Sequence, residues 1–114
     1  MENPKRGEMK LDLGDKSYSV KITMDVLMRI EAATGKGILK LAQELQAAET
    51  SATEIVTILT PVLRTTGEDI REKEVQKIVW EASLAEALRC VAEIVAFAIS
   101  GDNEAGNELK AVNG

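Results

Sequence analysis

Ser83–Ile99, SLAEALRCVAEIVAFAI, is the stretch whose reading decides the fold. As a helix it sets Leu84, Leu88, Val91, Val95, Ala98 and Ile99 on one broad face. Its only charges, Glu86, Arg89 and Glu93, recur every three or four residues and form a narrow polar stripe. Ser83 followed by Glu86 three residues later is a capping box, and Ser100-Gly101 closes the far end. A helix this apolar needs other elements over it, yet it is too short and too interrupted by charge to cross a bilayer. It reads as the core helix.

Outward from it, toward the N-terminus, the same signals recur. Asp69 with Glu72 opens a helix over 70–81 with Val75, Ile78, Val79 and Ala82 inward, and Thr65-Thr66-Gly67 stops the one before it. That helix, 52–65, starts at the capping pair Ser51 and Glu54 and carries Ile55, Ile58, Leu59 and Val62 on its core stripe. Pro61 falls on its polar side near Thr57 and Arg64, where a kink rather than a break is expected. Gly37 opens 38–48, and Thr23 caps 24–34, which ends at Gly35. Before these, Met9-Leu11-Leu13 and Tyr18-Val20-Ile22 alternate with polar residues, as two strands of a half-buried hairpin do. Folding them about Asp15-Lys16 pairs Leu13 with Tyr18, Leu11 with Val20 and Met9 with Ile22. The predicted fold class is therefore α+β, mainly α. A hairpin of about 8–13 and 18–23 lies on five helices in a single unit spanning 8–101. Residues 1–7 read as a flexible arm, and 102–114, polar and rich in Gly and Asn, as a loose tail.

Composition narrows the function. With 114 residues, 45% hydrophobic and 3% aromatic, the core must come from Leu, Ile, Val, Met and Ala, which suits helix packing. A net charge of −5 argues against nucleic acid or an anionic membrane as partner. The chain contains no histidine, so the commonest general base and the His-bearing nucleophile pairs and metal sites are excluded. Cys90, the single cysteine, can form neither an intrachain disulfide nor a multi-cysteine metal site, and reads as a small hydrophobe. Gly35-Lys36-Gly37 lacks the spacing of a phosphate loop and reads as a helix break, and Glu68, Asp69 and Glu72 read as a solvated helix start. Neither cofactor nor catalysis is expected. The charged opening MENPKRGEMK has no apolar run after it, which reads as cytoplasmic.

Two aromatics fall off their helices' core stripes. Trp80 projects with Lys73, Gln76 and Lys77, and Phe97 lies beside Glu93, forming with Cys90 and Ile94 a second apolar flank. Either these flanks are covered within the monomer, by a neighbouring helix or by Leu109 and Val112, or they are a patch for a protein partner or self-association. Met24 and Met28 make a smaller adaptable patch beside Glu31.

The layout resembles the small tail assembly chaperones of gene transfer agents and siphophage-like prophages, encoded near the tape-measure protein. The features that carry the resemblance are the opener Asn3–Glu8, the hairpin ending at Thr23, and above all Leu27–Leu41, LMRIEAATGKGILKL. There Leu27, Glu31, Gly35 and Ile38 hold a Leu–x–x–x–Glu run, a glycine break and an aliphatic helix start. The Thr66-Gly67 break and a last helix ending near Gly101 extend the resemblance over about residues 3–101. In one respect the sequence departs: some members have a glycine before the last helix, where this chain has Ala82-Ser83.

The resemblance implies a non-enzymatic helper in the bacterial host cytoplasm that binds the tape-measure protein and recruits tail-tube protein around it. The alternative is a structural minor tail or tail-tube-associated protein of the particle. A DNA-binding regulator is the third reading, disfavoured because the last helix has one cation, Arg89, beside Glu86 and Glu93.

Overall fold

Gly14-Asp15 is the whole of the hairpin turn. In the computed structural model, which describes residues 7–101, β1 (Glu8–Leu13) pairs antiparallel with β2 (Lys16–Lys21), Leu11 opposite Tyr18 and Leu13 opposite Lys16. The turn is thus two residues long rather than four, and the second strand begins two residues earlier than expected. Gly14, at φ 68, explains the tighter turn, since short hairpin loops favour a glycine with positive φ at their first position. A slip of two residues keeps every side chain on its face. Met9, Leu11, Leu13, Val20 and Ile22 are accordingly buried, with Tyr18 half-buried. Ile22 N–H extends the ladder to the Gly7 carbonyl at 2.6 Å, drawing in the last residue of the expected arm. The rest of that arm and the expected tail lie outside the described residues.

Five helices follow: α1 (Met24–Thr34), α2 (Ile38–Gln46), α3 (Ala52–Leu63), α4 (Glu72–Ala82) and α5 (Leu84–Ser100), with a 3₁₀ turn at Arg64–Thr66 after α3. The fold is α+β, mainly α. Thr23 Oγ1 accepts from Val26 N–H and Ser51 Oγ from Glu54 N–H, so both hydroxyl caps are made. α3 runs through Pro61 without a break.

Three boundaries move, each for a visible reason. α2 stops two residues early because Ala48 takes φ 58, with Ala48 N–H on the Leu45 carbonyl and Glu49 N–H on that of Glu44, the two bonds of a Schellman end. α3 gives way to the 3₁₀ turn before residue 65. α4 starts at Glu72 rather than 70 because the Ile70 carbonyl is held by Arg64 Nε at 2.8 Å. There Arg71 is the N-cap, its N–H bonded to the Glu74 carboxylate at 2.8 Å, in place of the expected Asp69–Glu72 pair.

The larger correction concerns which helix is central. Eight of the twelve residues of α3 are buried, and α3 packs against α1, α4, α5 and β2. On α5 only Ala87, Cys90, Val91, Ile94, Val95 and Phe97 are buried, six of seventeen. The core helix is α3. α5 is also turned somewhat relative to expectation: of the face expected inward, Val91 and Val95 are buried and Ala98 packs on the core, but Leu84, Leu88 and Ile99 are exposed. The hairpin decides the rotation. Cys90 Sγ donates to the Asp12 carbonyl at 3.3 Å and Gly14 N–H to Glu86 Oε1 at 2.8 Å, which pins the Cys90 side of α5 under β1.

Candidate interaction surface

The residues singled out by sequence separate into two groups. Trp80, in the last turn of α4, is 85% exposed, among the exposed Lys73, Gln76 and Lys77. Met24 and Met28, one helical turn apart on α1, are 70% and 61% exposed. Cys90, Ile94 and Phe97 are corrected: all three are buried in the core cluster, so the second apolar flank of α5 is its inner side and offers no surface. Burial, with Glu93 adding to it, pushes the Cys90 thiol up to about 11, so the sulfur stays protonated and unreactive at neutral pH.

Sequence reasoning missed the apolar residues that are open. Leu84, Leu88 and Ile99 on α5 and Leu39 on α2 are exposed. The first three were assigned to the core because a helix apolar on nearly all sides offers two faces, and only tertiary packing chooses between them.

A polar cluster was missed as well. Lys36, between the glycines of the α1–α2 break, places Nζ 2.7 Å from Glu44 Oε2 and 2.7 Å from Glu54 Oε2. Both carboxylates are about nine-tenths buried, so one ammonium ties the break to α2 and α3. The hydrogen bonds that Lys36 Nζ donates to Glu44 and then Glu54 raise the Lys36 pKa, and the one accepted from Lys36 lowers the Glu44 pKa. Glu31 acts locally in the same segment. Its carboxylate accepts from Ile38 N–H at 3.0 Å and caps α2, whose own N-cap, Gly37, has no side chain to do so. The Glu31–Gly35–Ile38 pattern is therefore the break between α1 and α2: one residue caps the second helix, one turns the chain, one starts the new helix.

A groove of about 490 Å³ runs beside β2, with Ser17, Tyr18 and Ser19 on one wall and Glu68, Asp69 and Glu74 opposite. Among the described residues no cluster of three acids, cysteines or histidines could hold a metal, and no helix is long and apolar enough to cross a membrane.

What the fold and surface define is a small helical protein whose buried charges serve its own joints and whose remaining apolar side chains face outward. It belongs to a family of phage tail proteins: residues 6–101 match the family described as phage tail tube protein, GTA-gp10. That span takes in the hairpin and all five helices. No curated protein and no solved structure matches the chain.

Proposed function

We propose that this chain is a non-catalytic, tail-tube-associated component of a phage or gene-transfer-agent tail, acting through contacts with other tail proteins. The observation that carries the reading is the family match across 6–101, because it covers the whole described fold rather than one motif within it. The test is quantitative mass spectrometry of purified particles. This reading expects the chain at a fixed ratio to the tail-tube protein, and absence from intact particles overturns it.

A second reading, an assembly chaperone that holds the tape-measure protein, is favoured by Trp80. A tryptophan left 85% exposed, beside two lysines, is the kind of side chain that anchors a transient partner. Under it the chain raises the soluble fraction of co-expressed tape-measure protein, co-purifies with it and is missing from particles. Trp80→Ala then lowers co-purification while leaving the melting temperature nearly unchanged. A large fall in melting temperature with binding intact contradicts it. The same polar, acidic surface gives no support to a nucleic-acid or membrane partner.

A further inference from the structure

α5 is apolar on two sides, and the fold covers one. The open side carries Leu84, Leu88 and Ile99, exposed by 51%, 37% and 52%, with Ala85 and Ala92 also exposed between them. Leu84, Ala85, Leu88 and Ala92 form one exposed stripe over the first turns, and Ile99 continues it beyond the buried Val95, so that it spans about 22 Å at 1.5 Å per residue. Arg89 and Glu93, both exposed, follow Leu88 and Ala92 by one residue each and so line the same flank of the stripe. Only Glu86, Arg89 and Glu93 interrupt the apolar surface of α5, so more of it seeks cover than the fold supplies.

We propose that a second copy of this chain supplies the missing cover, the two α5 helices packing antiparallel about a two-fold axis near Ala92. The charges select this occupant. Such an axis keeps the Arg89–Glu93 flank of both copies on one side of the pair and reverses its direction, so Arg89 of one copy meets Glu93 of the other, twice over. Arg89 stands three residues before the axis and the opposing Glu93 one, an axial offset of about 3 Å that both side chains span. A parallel two-fold would carry the two flanks to opposite sides of the pair and leave Arg89 and Glu93 without these partners. Ala92 at the crossing lets the two backbones approach, and Leu84 of each copy comes to lie near Ile99 of the other. One helix pair is a small contact, so the dimer is weak and reversible. The inference rests on α5 alone and stands whether or not the chain remains in the particle.

Sedimentation equilibrium of the full chain from micromolar to millimolar concentration tests it, with circular dichroism verifying that each variant is folded. A reversible monomer–dimer equilibrium is expected. Leu88→Asp weakens it about 100-fold, because both copies lose the side chain. Arg89→Glu and Glu93→Arg each weaken it about five-fold, and R89E/E93R together restore it. A monomer at every concentration overturns the proposal, as does a dimer indifferent to Leu88→Asp or one the paired charge reversal fails to rescue. If the full chain dimerises only after Leu109→Asp, the chain's own C-terminal segment covers the stripe, and the proposal falls.

Discussion

α3 and α5 are both rich in Leu, Ile, Val and Ala, yet the fold treats them differently. α3 is enclosed by α1, α4, α5 and β2, and even Glu54 and Thr60 on it are buried. α5 packs against α2, α3, α4 and β1, with hydrogen bonds from the hairpin turn and to the β1 backbone, yet keeps Leu84, Leu88 and Ile99 in solvent. Apolarity in a sequence measures how strongly a helix seeks cover. It does not say whether the cover comes from the same chain. That distinction is where a structural helix parts from one available for association.

The largest effect that tests the comparison is on stability. Leu59, fully buried on α3, should cost about 3 kcal/mol when changed to Ala, by lost transfer energy and the cavity left behind. Leu88→Ala on α5 should cost less than about 1 kcal/mol in dilute solution, since its side chain is already partly in water. Denaturant unfolding at low protein concentration measures both. Equal losses would mean that α5 is covered on its outer side too, and the contrast would vanish.

Next comes the ionic joint that holds α2 to α3. Raised in the fold, the Lys36 pKa contributes stability that is complete below the ordinary lysine value and lost as pH rises through the raised one. Lowered in the fold, that of Glu44 contributes stability complete above the ordinary carboxylate value and lost as pH falls through the lowered one. Lys36→Met leaves Glu44 and Glu54 without the cation that bonds them both, so it should lower the melting temperature at neutral pH. That variant should then gain stability from about pH 7 to about pH 5, as one carboxylate takes up a proton, while the parent does not. A parallel pH profile for the two proteins would show that the joint carries no weight.

The smallest effects concern two positions where glycine would relieve the backbone. Ser83 holds φ 131 between α4 and α5, and Ala48 holds φ 58 after α2, both outside the comfortable range of a residue with a Cβ. Ser83→Gly gives up a cap whose loss to glycine costs only a few tenths of a kcal/mol. It should still raise stability by about 1 kcal/mol, or a melting temperature several degrees higher. Ala48→Gly should raise it by a similar or smaller amount. A lower melting temperature for Ser83→Gly would show that the hydroxyl cap outweighs the strain.

These positions also explain what was legible beforehand. Parity along the strands gave the buried face of the hairpin, because a two-residue slip cannot move Leu11 or Val20 off it. Hydroxyl caps at Thr23, Ser51 and Ser83 placed the helix starts, since each satisfies a donor one turn ahead in the same segment. What failed was whatever depended on a distant partner. Glu54 and Glu86 look like the return arms of two capping boxes, but their carboxylates go to Lys36 and to Gly14 N–H. The rotation of α5 depends on those same distant contacts, which is why the sequence alone leaves open whether Cys90, Ile94 and Phe97 are covered within the monomer or form a patch. Trp80, Met24 and Met28 were placed correctly outside the core because their own helices carry a clear polar face around them.

The most direct test of the account is hydroxyl-radical footprinting of the intact chain at two concentrations. In dilute solution Leu84, Leu88, Ile99, Trp80, Met24 and Met28 should be oxidised, and Leu59, Cys90, Ile94 and Phe97 protected. At high concentration Leu88 and Ile99 should become protected while Met24 and Met28 do not change. Oxidation of Ile94 and Phe97 in place of Leu84 and Leu88 would contradict the one-sided burial of α5 on which the account depends.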